Sequence, residues 1–185
     1  MEILGIAGSL RRGSHNRKLL RAAAGLELPP GVVLREWDGL RHMPPFDEDL
    51  ESAPPAAVHE FREAIEAADA VLVATPEYNA SIPGALKNAL DWASRPFPDN
   101  ALRDKPAAVI GASTGLFGAV WAQAETRKVL KYAGAQVLDT ELAVGLADSA
   151  FDEHDGLVDP ELRTRLGELL SELGQEVAEP AGQAA

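Results

Sequence analysis

The sequence predicts an α/β fold in which a parallel sheet is covered by helices on both faces. Apolar segments of strand length alternate along the chain with segments whose apolar residues recur every three or four positions, as in amphipathic helices. Three of the strand-like segments are continuously apolar, which is typical of strands that are buried on both faces.

The segments rich in Val, Ile and Leu are the predicted strands. They cover Glu2–Ala7, Gly31–Glu36, Ala70–Thr75, Ala107–Ala112 and Gln136–Leu142. The first, third and fourth are continuously apolar, so we expect these three at the centre of the sheet. Five parallel strands joined by right-handed crossovers fit the order 2-1-3-4-5 of flavodoxin-like doubly wound folds.

The amphipathic segments between the strands are the predicted helices. They cover Asn16–Leu26, Pro55–Ala68, Pro83–Ser94, Ala119–Tyr132 and Pro160–Glu176. Pro83 and Pro160 suit a first helical turn, with Ser81 and Asp159 as nearby caps. The stretch Asp38–Pro54 has no clear period, and we expect a loop with a short helical turn there.

Length and composition place limits on the function. The 185 residues predict one domain over residues 1–176, followed by a small, polar and disordered tail over 177–185. A net charge of −12 disfavours nucleic acid or an anionic membrane as partner. The chain has no cysteine and its four histidines are scattered, so no metal site is predicted. No leader and no membrane-length apolar run is present, which predicts a cytoplasmic protein.

Three loops of unusual composition follow the predicted central strands. They are GSLRRGSHN (residues 8–16, the first loop), TPEYNASIPG (75–84, the second loop) and GASTGLFGAV (111–120, the third loop). Ligands of open α/β sheets bind at the carboxyl ends of the strands, where the strand order reverses. The three loops are therefore the predicted ligand site.

The first loop has the features of an anion site. Its glycines have the spacing that opens a nucleotide-binding P-loop, but Ser14-His15 replaces the expected Lys-Ser/Thr, which disfavours ATP and GTP. Free N–H groups at a helix start attract anions, and Ser9, Ser14 and Arg11 add further donors. The alternative is a plain helix cap at Ser14 with solvated arginines.

The second and third loops suit a flat ligand. In the second loop, Tyr78, Asn79 and the backbone N–H groups match the edge of a planar heterocycle, although the same residues are ordinary turn formers. Glu77 invites a role as general base, but an exposed loop glutamate is usually solvated. In the third loop, glycines beside Ser113 and Thr114 permit close approach to a ring, or simply make a flexible connection.

The stretches GSLRRGSHN, PEYNASIPGALKNALDWASR and GASTGLFGAVWAQAETRKVL together resemble the NADPH-dependent FMN reductase family of flavodoxin-like proteins, over roughly residues 1 to 145. The family includes quinone, chromate and azo-dye reductases. The resemblance implies FMN as cofactor and NADPH or NADH as co-substrate. It also implies a homodimer or homotetramer, for which the aromatic residues Trp92, Phe97 and Trp121 are candidate contacts.

The resemblance also implies roles for residues of the three loops. Those that hold the FMN phosphate are Ser9, Arg11, Ser14 and Asn16. Those that line the flavin and its ribityl chain are Pro76, Glu77, Tyr78 and Asn79. Those that border the ring from the third loop are Ser113, Thr114, Gly115 and Gly118. Trp121 stands where the family often has arginine, so the choice between NADPH and NADH stays open.

The leading hypothesis is an NAD(P)H-dependent FMN oxidoreductase. Reduced nicotinamide gives hydride to bound FMN, and a quinone-like or other electron-poor acceptor is then reduced on the same open face in ping-pong fashion. No catalytic side chain is predicted, because the flavin supplies the chemistry. The alternatives are a flavodoxin-type one-electron carrier and, less well supported, an FMN-binding regulatory module. The arginine in the first loop favours the reductase over the carrier.

Overall fold

The computed structural model describes residues 1–28 and 30–179. The strands are β1 Glu2–Ala7, β2 Val33–Trp37, β3 Ala70–Thr75, β4 Pro106–Ala112 and β5 Gln136–Val144. The longer helices are α1 His15–Ala24, α2 Ala56–Ala67, α3 Gly84–Ala93, α4 Val120–Tyr132 and α5 Pro160–Ala178. All five strands run parallel in one sheet of order β2-β1-β3-β4-β5, which confirms the predicted fold class.

The helices form a layer on each face of this sheet. Side chains of α1 and α5 pack in one core on the first face, and those of α2, α3 and α4 pack in a second core on the other face. Every residue of β3 and of β4 is buried, whereas the edge strand β2 is partly exposed. Burial on both faces is the physical reason for the continuous apolar segments in the sequence.

The structure corrects two expectations about helix ends. Asp159 caps α5 as predicted, since its Oδ1 accepts the N–H of Glu161 at 2.8 Å. Ser81 does not cap α3, because its hydroxyl donates instead to Glu125 of α4 at 2.5 Å. Helix α5 continues to Ala178, so the first two residues of the predicted tail are helical. Residues 180–185 of that tail lie outside the described residues.

The stretch Asp38–Pro54 is fixed against α3 and contains two short 3-10 turns, Gly39–His42 and Glu48–Leu50. The indole N–H of Trp92 and the amide N–H of Asn88 both donate to the carbonyl of Pro44, at 2.9 and 2.8 Å. Trp92 is fully buried, so it is not one of the exposed aromatics expected at a subunit contact. Among the described residues, no helix combines the length and the apolar character that a membrane crossing requires.

Candidate functional site

The first and second loops meet at the carboxyl edge of the sheet. The N–H of Gly8 donates to the carbonyl of Ala74 at 2.8 Å. A Cβ at Gly8 would lie 2.9 Å from Leu86 Cδ2 and 3.1 Å from Pro76 Cδ. A side chain at position 8 would therefore require Leu86 and Pro76 to shift, and glycine permits the close approach of the two loops without that shift.

The first loop presents open backbone donors at the start of α1. Ser14 is the cap of α1, since its Oγ accepts the N–H of Arg17 at 3.2 Å, and both Ser9 and Ser14 are buried. Within residues 1–28 and 30–179, no hydrogen bond engages the N–H groups of Arg12, Gly13 or Ser14. Open N–H groups together with the positive end of the helix dipole fit a phosphate.

Arg11 lies folded over the same loop. Its Nη2 and Nε donate to the carbonyl of Gly13 at 2.6 and 3.0 Å, and Nη2 lies 3.1 Å from Nε2 of His15. In the described part of the chain no carboxylate pairs with Arg11. The loop therefore holds a cation whose charge is not neutralised, which is what binding of a phosphate dianion requires.

Asn16 joins the first loop to the third. Its Nδ2 donates to the carbonyl of Ala112 and its Oδ1 accepts the N–H of the same residue, both at 2.9 Å. These bonds tie the start of α1 to the end of β4. The backbone N–H of Asn16 and the second hydrogen of its Nδ2 are the donors that remain for a phosphate.

The second loop projects from the edge as a tight turn. The N–H of Tyr78 donates to the carbonyl of Ser81 at 3.2 Å, and the reverse bond measures 3.1 Å. Asn79 and Ala80 have φ of 53° and 58°, which defines a type I′ turn. Tyr78, Asn79 and Ala80 are exposed, with Pro76 buried at the base. The turn therefore offers a side chain and free backbone groups to a ligand at the edge.

Two carboxylates attach this loop to α4. Oε2 of Glu77 accepts the N–H groups of Trp121 and Ala122 at 3.0 and 3.1 Å, so Glu77 caps the first turn of α4 and is not merely solvated. In the opposite direction, Oε2 of Glu125 accepts the Ser81 hydroxyl and the Ile82 N–H at 2.5 and 3.2 Å. No local sequence pattern distinguishes Glu125 from a surface glutamate.

The Glu125 anchor, which consists of the hydrogen bonds that this carboxylate accepts from Ser81 and Ile82, is expected to depend on pH. Hydrogen bonds from Ser81 and from the N–H of Ile82 lower the pKa of Glu125. Because folding favours the carboxylate, the anchor is fully present above the ordinary glutamate pKa and is lost as pH falls through the lowered pKa. In an NMR titration the amide of Ile82 should therefore shift with a midpoint below the ordinary glutamate value, and Glu125→Gln should abolish this titration. A midpoint at the ordinary value would contradict the anchor.

The third loop divides into an exposed part and a buried part. Ser113, Thr114 and Gly115 lie at the edge, tied by the N–H of Ser113 to the carbonyl of Val144 at 3.0 Å. Gly118 is buried against β5 with φ of 58°. Ser113, Thr114 and Gly115 therefore follow the end of β4, which Asn16 ties to the first loop, whereas Gly118 has a packing role against the sheet.

One aromatic side chain of the third loop, Phe117, lies against Trp121 in the first turn of α4. Phe117 and Trp121 form an edge-to-face pair with ring centroids 5.3 Å apart. Both are exposed, Trp121 by 50%. Trp121 is therefore not a core residue, and its exposed ring leaves it a candidate for the subunit contact.

The five-stranded parallel sheet of order β2-β1-β3-β4-β5, with helices on both faces, defines a flavodoxin-like protein, and its three loops lie at the edge where such folds bind ligands. Residues 1–149 match the family of NADPH-dependent FMN reductases. The chain belongs to this family. It is accordingly an enzyme, an oxidoreductase that uses FMN with NAD(P)H, and the predicted family and cofactors are confirmed.

Individual relatives agree with this membership. The chain is 44% identical over 175 residues to an NAD(P)H-dependent FMN reductase of Pseudomonas aeruginosa, covering 94% of this chain and 93% of that protein. It is 36% identical over 167 residues to a 2-hydroxy-1,4-benzoquinone reductase of a Burkholderia species, covering 90% of each. Its structure resembles that of FerB, a flavoenzyme NAD(P)H:acceptor oxidoreductase from Paracoccus denitrificans, with a TM-score of 0.86, 32% identity and coverage of 97% and 98%.

Proposed function

We propose that this enzyme reduces its bound FMN with NADPH or NADH and then reduces a quinone-like or other electron-poor small molecule, in a ping-pong sequence. The observation that carries the proposal is the first loop, where free N–H groups and the unneutralised Arg11 surround the start of α1. The quinone reductase activity in the names of relatives from Burkholderia and Pseudomonas putida supports the choice of acceptor.

The residues of the chain bind and orient the ligands in this proposal. The first loop holds the FMN phosphate through its N–H groups, Arg11 and the hydroxyls of Ser9 and Ser14. The second loop, held by Glu77 and Glu125, would border the flavin and its ribityl chain. Bound FMN supplies the redox chemistry, taking hydride from nicotinamide and giving two electrons to the acceptor. No side chain has to act as the proton donor for hydride transfer.

Reduction by nicotinamide tests the proposal directly. Anaerobic addition of NADPH or NADH to the FMN-loaded protein should bleach the visible flavin spectrum and oxidise one nicotinamide per flavin. A quinone added afterwards should restore the spectrum, and stopped-flow absorbance measures both half-reactions separately. A spectrum that stays unchanged in excess NADPH and NADH would reject the reductase and favour the one-electron carrier.

We infer further that the enzyme is a cytoplasmic homodimer or homotetramer. The surface between α3 and α4 carries a cleft of about 310 Å³ with Leu90 and Val129 in its lining. Beside it Phe97 and Tyr132 are 72% and 91% exposed, which is unfavourable on the surface of a monomer. Light scattering at micromolar concentration should report a dimer or tetramer, and Tyr132→Glu should shift it toward monomer. A monomeric wild-type protein would reject this inference.

A further inference from the structure

A cleft of about 440 Å³ opens between the first loop and the end of β2. The residues that line it come from the first loop, from α1 and from the segment that follows β2. The charged and titratable ones among them are Arg11, Arg12, Arg17, Asp38, Arg41 and His42. Four guanidinium groups and a single carboxylate thus line one cleft of a chain whose net charge is −12.

Among the residues that the structure describes, carboxylates pair with one of these arginines, Arg17. Arg17 lies 3.0 Å from Oε1 of Glu36 and pairs with Asp38. Arg41 donates to the main-chain carbonyl of Leu10, a neutral partner. Arg12 is exposed and takes part in no hydrogen bond or ion pair of its side chain with the described residues. The cleft therefore retains positive charge from Arg12 and Arg41, in addition to Arg11.

The position of the cleft separates it from the predicted flavin ring. β2 lies on one side of β1, while β3 and β4, whose ends carry the second and third loops, lie on the other. No residue of the second or third loop lines the cleft. The first loop forms the shared wall. An FMN phosphate held by its N–H groups and Arg11 would leave Arg12 and Arg41 for a second anion.

We propose that Arg12 and Arg41 form a second anion site, which binds the 2′-phosphate of NADPH and gives the enzyme a preference for NADPH over NADH. This inference rests on the proposed function. The 2′-phosphate is the group by which the two co-substrates differ, and arginine forks recognise such phosphomonoesters through paired donors. The 2′-phosphate lies on the adenosine end of the dinucleotide, away from the nicotinamide. This position suits a site that is one loop away from the predicted flavin ring.

The preference is tested on the FMN-loaded enzyme. Wild type should show a higher kcat/KM with NADPH than with NADH, and Arg12→Ala should lower this ratio by about tenfold, the scale of one charge-assisted contact. Arg12→Ala together with Arg41→Ala should remove the preference. Arg103→Ala is the matched control, because it also removes one exposed arginine. Arg103 lies just before the amino-terminal end of β4, at the opposite end of the strands from the cleft, so the ratio should stay unchanged.

A binding measurement decides the site independently of turnover. Calorimetry should show that FMN-loaded wild type binds 2′,5′-ADP more tightly than 5′-AMP, and that Arg12→Ala abolishes the difference. Equal affinity of wild type for the two nucleotides would overturn the second anion site. So would a loss of FMN affinity in Arg12→Ala, because the cleft would then hold the phosphate of FMN itself. If nicotinamide is not oxidised although 2′,5′-ADP binds selectively, the proposed function fails and the anion site stands.

Discussion

Replacing Arg11 by alanine is expected to weaken FMN binding by about 1.5–3 kcal/mol, the range of hydrogen bonds to a charged group. That loss corresponds to between about tenfold and 150-fold in the dissociation constant. The physical reason is the position of the guanidinium, which is held over the first loop by the carbonyl of Gly13 and has no carboxylate partner in the described residues. Flavin fluorescence during reconstitution of the apoprotein measures the affinity.

Arg12→Ala provides the comparison within the same loop. Its side chain has the same charge but makes no hydrogen bond to the loop among the described contacts. The long-range field of the protein is therefore nearly the same in the two variants, and only the local contact differs. Equal loss of FMN affinity in both variants would show that Arg11 has no phosphate contact that Arg12 lacks, and the role assigned to Arg11 would be wrong.

The fold was predictable because each strand and each helix is indicated by the pattern of apolar residues within its own segment of the sequence. Continuous apolar segments identify buried parallel strands, and β1 and β3 begin and end at the predicted residues. The ends of strands and helices were predicted less accurately where several neighbouring residues could form the end of the element. β5 runs two residues beyond its predicted end at Leu142, and α5 passes the predicted boundary at Glu176. Val144 at the end of β5 is buried in the first core and Val177 near the end of α5 packs against it, which are contacts that the sequence alone does not show.

The supporting contacts of the site were not predictable, because they join residues far apart in the chain. Asn16 pairs with Ala112 across 96 positions, and Glu125 binds Ser81 across 44. The first loop shows the same limit. Its composition predicts an anion site, whereas the cleft that it forms with Arg41 depends on how the segment after β2 folds back.

Gly118 is the position where resemblance and structure give different reasons for the same residue. The resemblance places it at the flavin ring, whereas in the structure a Cβ there would lie 2.6 Å from the backbone of Ala143 and Val144. Its φ of 58° is also unfavourable for any residue with a side chain. Gly118→Ala is therefore expected to lower the free energy of unfolding by about 2–5 kcal/mol, from overpacking and backbone strain together. Urea denaturation measures the loss.

Gly115→Ala is the matched control for that prediction. A Cβ at Gly115 would contact only the Oγ of Ser113, at 3.7 Å, so stability should change by less than about 1 kcal/mol. If Gly115 borders the ring, its alanine variant should nevertheless bind FMN more weakly, because the added methyl group occupies the space of the ring. The two variants thus separate a glycine required by packing from one required by the cofactor. A stable Gly118→Ala protein with reduced FMN affinity would reverse the assignment and place the ring against β5.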